Sequence, residues 1–363
     1  MTTATDYRCA AWTRDQGVDP IGSAPTCDTL VLIEVPPPWP RDVNTLPAFA
    51  DILARGPHRT RLLAVRPGTS TRSATGPAVT AIGATENAVP VTIWRRTGHG
   101  RCAGTDYVLP ADHLADTVTE LVAARAFDAT ADAPAHRTGQ QVVRGSDRPT
   151  SGAVAVRPPG HALDAADPPG RDGTDLTGRP APAEVLLCGH GVRDKCCGRL
   201  GARLALEVGA GVAGVRVRSC SHTGGHRFAP TGLTLPDGLA WSFLDAALLD
   251  GIVRRAGAPP LHDGHYRGNT ALDRWGQVAE RELFRRFGWP WLDRRITLAR
   301  TEIEPGGRAA VVELAWSGPD GAGSARAEVG IVRDVPVLIC GEHPEAARKA
   351  APELELRSLR LGD

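Results

Sequence analysis

The residues that could do chemistry gather in two short stretches. The first is Cys188-Gly-His190-Gly-Val-Arg193-Asp194-Lys195-Cys196-Cys197, and the second is His222-Thr-Gly224-Gly225-His226-Arg227-Phe228-Ala-Pro230. Together they hold three of the eight cysteines and three of the eleven histidines. Soft thiolates followed by imidazoles, within reach of one another through a short fold, are the inventory of a metal centre. They suit zinc or an iron–sulfur cluster far better than magnesium or calcium, which prefer oxygen ligands.

The spacing narrows the roles. Eight residues separate Cys188 from Cys197, enough for a loop from a strand end to a helix start. The unpaired backbone N–H groups of that helix start would stabilise thiolate and sulfide charge. Neighbouring cysteines point their side chains apart, so one of Cys196 and Cys197 joins Cys188; Cys197 is the expected ligand and Cys196 its alternative. His222 and His226 stand at i, i+4, but Gly224-Gly225 between them disfavours a helix by roughly 1 kcal/mol per glycine. A glycine-rich loop lets backbone amides approach a charged group instead. His190, Arg193, Gly224, Gly225 and Arg227 are expected around the ligands, as hydrogen-bond donors or charge compensation, with Arg193 and Asp194 also able to pair with each other.

Other chemistries fit less well. The cysteine gap is too long for the usual Cys₂His₂ zinc spacing. The Cys196-Cys197 doublet does not supply the C-x-x-C of a thiol–disulfide enzyme. The sequence has no G-x-S-x-G, no P-loop, no H-E-x-x-H and no dinucleotide-binding glycine fingerprint. Cys9, Cys27, Cys102 and Cys340 stand alone in the sequence and read as inert packing or surface thiols. His262 and His265, with no cysteine close by, read as structural or surface residues.

Composition bounds the rest. The chain has 363 residues and a formal net charge of +1, so no polyanionic partner is advertised. Its basic residues are nearly all arginine, scattered and not interleaved with aromatics, which argues against a nucleic-acid face. The N-terminus shows neither the basic nor the apolar region of a secretory signal. No apolar run approaches the roughly 18 residues of a membrane helix. Eight unevenly spread cysteines do not make a disulfide scaffold. A cytoplasmic protein with no membrane contact is the expectation.

The elements that must position these residues follow from periodicity and turn signals. Residues 1–27 carry turn formers and no periodicity. Leu30–Val35 is a buried strand, followed by a helix over 43–55, a strand over 61–65, strands near 77–83 and 88–95, and a helix over 111–126. From 128 to 182 proline, glycine, aspartate and arginine dominate, a linker or surface loop with one short strand at Ala153–Val156. Then come a strand at Glu184–Cys188, a helix over 198–208, a strand at Val212–Ser219, a hairpin around Pro236-Asp237-Gly238 and a helix over Leu244–Arg255. A helix over 271–287, strands near 296–303, 309–316 and 325–332, and a polar tail after Cys340 close the chain. The expected class is α/β, with β-α-β-β-β-α in each of two halves and a small C-terminal α+β extension. The expected domains are 1–127, the 128–182 linker, 183–258 and 259–363.

The motif C-x-H-G-x-R-D-x-C-C, followed by H-x-G-G-H-R-F-A-P and then Leu235-Pro-Asp-Gly238, resembles the sucrase/ferredoxin-like family within the thioredoxin-like [2Fe-2S] ferredoxins. The likeness is strong over 184–243 and weaker at Leu32-Ile-Glu34-Val-Pro-Pro-Pro-Trp39 and Tyr266-Arg267-Gly268. It implies two thioredoxin-like halves and a [2Fe-2S] cluster, with Cys188 and Cys197 on one iron and His222 and His226 on the other. It also implies an electron carrier serving a reductase and an acceptor protein, rather than an enzyme with its own substrate. Neutral imidazoles in place of thiolates would raise the cluster potential and couple it to protons. The competing readings are an iron–sulfur redox or iron sensor and a zinc-stabilised interaction module.

Overall fold

The computed structural model describes residues 8–68, 87–96, 98–124, 178–209, 212 and 214–362. The strands expected near 77–83 and at 153–156, and most of the 128–182 stretch, lie outside the described residues.

The chain opens with helix α1 (Cys9–Asp15) and strand β1 (Thr29–Glu34). The helix expected over 43–55 is two pieces. Asp42 caps a 3₁₀ turn, Val43–Thr45, by accepting from the Asn44 N–H at 3.1 Å, and α2 (Pro47–Arg55) then starts on Pro47. Proline suits that position because its missing N–H would be unpaired in any case. Next come β2 (Thr60–Val65), β3 (Ala88–Arg96), β4 (Cys102–Pro110) and α3 (Leu114–Ala123). Strand β5 (Arg179–Pro180) pairs with β4 at the first half's edge, and the second half contains β6 (Glu184–Cys188), α4 (Ala202–Val208), β7 (Arg216–Cys220), β8 (Gly232–Leu235), β9 (Leu239–Trp241) and α5 (Ala246–Arg254). Asp245 caps α5 through the Leu248 N–H at 2.7 Å. The remainder is β10 (Tyr266–Asn269), α6 (Arg274–Phe287), β11 (Arg295–Ile303), β12 (Ala309–Gly318), β13 (Gly321–Pro336) and β14 (Ala350–Gly362).

Strands β1 to β10 form one sheet in the order β10-β9-β8-β6-β7-β2-β1-β3-β4-β5. The order hides a repeat. In the first half β2 and β1 are parallel, and β3 and β4 continue antiparallel; β7, β6, β8 and β9 do the same in the second. The halves meet where β2 pairs with β7 at Val65 and Cys220. The sheet bends so far there that its inner faces pack on each other. Leu30, Leu32, Leu63, Val65 and Trp94 of the first half share one buried cluster with Leu186, Cys220, Leu233 and Leu235 of the second.

Charge also crosses this seam. Glu184, fully buried, accepts from Trp94 Nε1 at 2.5 Å, from Arg216 Nε at 2.9 Å and from Arg218 at 2.6 and 2.9 Å. Arg216 continues to Asp106 at 2.6 Å. On the outer faces, α2 and α3 cover the first half, and α4, α5 and α6 cover the second. Strands β11 to β14 make a separate antiparallel sheet against α6, whose Asp273 cap accepts from the Gly276 N–H at 2.8 Å.

Five elements were not expected: α1, β4, β5, β10 and β14. Helix α1 is only seven residues long, too short to show a helical period. Strand β4 is mostly half-exposed and carries Gly104, Thr105 and Asp106, so its pattern does not alternate. In place of a polar tail there is β14, where Leu354 and Leu356 alternate with charged residues; shifts in its register with β13 obscure the period farther along. Among the described residues no helix is long and apolar enough to cross a membrane.

Candidate metal centre

Strand β6 runs fully buried from Glu184 to its last residue, Cys188. The chain then loops and enters a helical turn, Cys197–Gly201, that leads into α4. This turn lies directly on the strand end: a Cβ at Gly201 would come within 1.8 Å of the Cys188 carbonyl oxygen, so only glycine permits the approach. Strand β7 runs parallel beside β6 and delivers His222 two residues after its end. As a result Cys188 Sγ, Cys197 Sγ and a ring nitrogen of His222 all lie within 4.8 Å of one another.

These groups are already polarised. A hydrogen bond from Cys197 holds the Cys188 thiol well below its ordinary range; His222 adds to the effect, while burial opposes it. The same bond, with burial, pushes Cys197 up. Burial lowers His222, and its Nδ1 is buried without a hydrogen-bond partner among the described residues.

Gly224 and Gly225 follow with φ of 89° and 66°, the left-handed region that glycine adopts without strain. A Cβ at Gly225 would meet the Arg267 guanidinium at 2.7 Å. His226 then begins a 3₁₀ turn, His226–Phe228, in place of the helix that i, i+4 spacing alone would suggest. Its ring centroid is 5.9 Å from that of His222, and its Nδ1 is 3.3 Å from Asp194 Oδ2. Three of the four expected ligands therefore form one group, and the fourth stands beside it tied to a carboxylate.

The surrounding residues divide. His190 is buried with neither ring nitrogen hydrogen-bonded among the described residues, its ring edge-on to Trp39 at 5.6 Å; burial lowers its pKa. Asp194 pairs with His226 and not with its neighbour Arg193. Burial alone would raise Asp194, but His226 and the backbone N–H groups of Cys196 and Cys340 hold it well below the carboxylate range. Arg227 turns away, donating to the Pro336 carbonyl at 3.4 Å and lying over Phe228; burial lowers it to about 10.

Sequence reasoning missed two arginines and a second sulfur group. Arg267 is fully buried and donates to Gly224 O at 3.2 Å and to the Ser23 carbonyl, while Arg61 donates to His222 O at 2.8 Å. Neither has a carboxylate within ion-pair range among the described residues. Burial lowers both, and the Cys188 thiolate opposes the fall. The signal for Arg267 was its place in the Tyr266-Arg267-Gly268 segment; for Arg61 there was none. Cys196 points away from Cys197 and sits 3.1 Å from Cys340 Sγ, with Cys9 and Asp194 completing the group. Cys9 and Cys340, read as isolated thiols, are 331 residues apart and only 3.6 Å between sulfurs. Cys27 and Cys102 instead line a small cavity beside Arg96.

A family model covers residues 20–268, a span that holds both motif stretches, Arg61 and Arg267, and it is described as sucrase/ferredoxin-like. The chain belongs to the sucrase/ferredoxin-like family. No curated protein and no solved structure matches it. Membership covers both halves of the large sheet and stops within β10, before α6 and the C-terminal sheet.

Proposed function

We propose that this member of the sucrase/ferredoxin-like family is an electron carrier built around a [2Fe-2S] cluster. The observation that carries the reading is the meeting of Cys188, Cys197 and His222, backed by two arginines with no carboxylate in ion-pair range among the described residues. The donor set suits the group: two soft thiols already polarised toward a thiolate, and an imidazole whose Nδ1 is buried with no hydrogen-bond partner among the described residues. Cys188 and Cys197 would hold one iron, and His222 and His226 the other. When bound, the cluster supplies a site that takes up and releases one electron.

The chain's own residues do the rest. Asp194 fixes the His226 ring through Nδ1, as carboxylates orient ligating histidines. Arg61, partly buried, and Arg267, fully buried, would offset thiolate and sulfide charge. The two halves are read as thioredoxin-like, and the second, residues 183–258, as the cluster domain. Residues 259–363 are then a C-terminal extension. A reductase and an acceptor protein are the partners this reading requires, in the cytoplasm, where all eight cysteines stay free as they are here.

A second reading has its own support. Donor atoms within 4.8 Å of one another also suit a single zinc ion, which would make the protein a zinc-stabilised module. Iron, sulfide and zinc counts on anaerobically purified protein decide between them. About two irons and two sulfides per chain support the cluster, and one zinc with no sulfide at this site rejects it. With a cluster present, rapid reduction by a reductase and reoxidation by an acceptor separates a carrier from a sensor, whose partner binding would instead change on cluster loss. A midpoint potential that falls as pH rises between about 6 and 10 is the mark of histidine ligation, and a flat one argues against it.

A further inference from the structure

We propose that Cys9, Cys196, Cys340 and Asp194 form a second metal site, a closed tetrahedral centre for one zinc ion. The sulfur of Cys196 is 3.1 Å from that of Cys340, and Cys340 is 3.6 Å from Cys9. Asp194 Oδ1 is 3.4 Å from both Cys9 and Cys340. A tetrahedron with Zn–S bonds of about 2.3 Å has edges of about 3.8 Å, so these four donors stand just inside the spacing one ion would set. Three thiols and one carboxylate are soft enough to favour zinc over calcium or magnesium.

The burial supports an ion. Cys9, Asp194 and Cys196 are 0%, 3% and 4% exposed. Within ion-pair range of Asp194, among the described residues, the one cationic side chain is His226, and it is a cation only when protonated. Gathering three thiols and a carboxylate away from water is costly, and a divalent cation reverses that cost. The carboxylate is also held in place: the Cys196 N–H donates to Oδ1 at 2.8 Å and the Cys340 N–H to Oδ2 at 3.3 Å.

The site explains the cysteine doublet. Cys197 faces Cys188 and His222, while Cys196 faces the opposite way, so adjacent residues serve separate centres. It also joins α1, the cysteine loop and the link between β13 and β14, which already share one buried cluster. Asp194 connects the centres, because its Oδ2 meets His226 Nδ1. Zinc would thus steady the residue that orients His226. Two of the four donors, Cys9 and Cys340, lie outside the 20–268 segment that the family model matches.

The test is zinc per chain in anaerobically purified full-length protein, compared with Cys340→Ser, Cys9→Ser and a Cys27→Ser control. Loss of one zinc in the first two, with the control unchanged, is expected. This difference appears whether the Cys188 pocket holds iron or zinc, so it stands apart from the electron-carrier reading. Zinc content identical in all four proteins overturns the proposal. So does a Cys196–Cys340 disulfide found by peptide mapping after anaerobic alkylation. Should the serine variants fail to fold, the unaltered protein decides through Cys340, the most exposed of the three thiols. Protection of Cys340 from alkylation that is lost when a chelator removes one zinc supports the site; alkylation at the rate of an ordinary thiol before chelation overturns it.

Discussion

The two halves of the large sheet lay their strands in the same order, yet their strand ends carry different residues. In the second half, β6 ends on Cys188, the loop after it bears His190 and leads to Cys197, and the loop after β7 bears His222 and His226. In the first half, β1 runs into Val35-Pro-Pro-Pro-Trp39-Pro40 and β2 into Arg66-Pro67-Gly68, which offer no metal ligand. Its contribution is indirect. Trp39 closes over His190, and Arg61 reaches the His222 carbonyl. One strand order used twice therefore carries one candidate centre, with the proposed ligands from one copy and part of the wall and charge from the other. The candidate metal ligands are a matter of short loops, not of strand order.

If that division of labour is right, substitutions in the two halves should have separable effects. The largest is expected from Cys188→Ser or Cys197→Ser, each of which should abolish nearly all metal at this pocket, as metal analysis will show. Next is the seam itself. Glu184→Ala leaves Arg218 buried with its charge unmatched and takes one partner from Arg216, so stability should fall by about 3–5 kcal/mol in denaturant titration. A loss within about 0.5 kcal/mol would mean that the halves do not depend on this network.

Glu280 provides a contrast with Glu184. It receives only neutral donors, Tyr266 and Trp291 at 2.8 Å each, and burial pushes it up to about 7 from an ordinary 4.5. Below 4.5 it is protonated whether folded or not. Between 4.5 and 7 only the folded protein keeps the proton, so stability falls as pH rises, and above 7 the full penalty of about 3 kcal/mol remains. Glu280→Gln should flatten that slope in unfolding curves taken from pH 4 to pH 8. The smallest effect belongs to the first half's wall. Trp39→Phe keeps an aromatic face but loses part of the indole volume and its hydrogen bond to the Val35 carbonyl at 2.8 Å, costing about 2 kcal/mol with metal content unchanged. Loss of metal in that variant would mean that the first half does more than enclose the site.

Much of the architecture was legible because it rests on local signals. Strands such as Thr29–Glu34 and Glu184–Cys188 are continuous apolar runs, and α5 and α6 begin on aspartate caps. The element order of the second half, and the grouping of Cys188, Cys197 and His222, followed from loops that join neighbouring strands. What stayed hidden depends on distance along the chain. Cys9 and Cys340 meet across 331 residues, and Arg61 reaches His222 across 161. No periodicity reports such pairs. Nor could the doublet Cys196-Cys197 be resolved from sequence, because which sulfur faces Cys188 depends on how the helical turn sits on the end of β6.

The central claim is that the Cys188 pocket holds an iron–sulfur cluster, and one experiment tests it most directly. The visible and EPR spectra of anaerobically purified protein would be recorded before and after dithionite, with iron and sulfide assayed on the same sample. The account predicts a red-brown protein with about two irons and two sulfides per chain, and a rhombic signal of the Rieske kind on reduction. A colourless protein that contains zinc but no sulfide would contradict it.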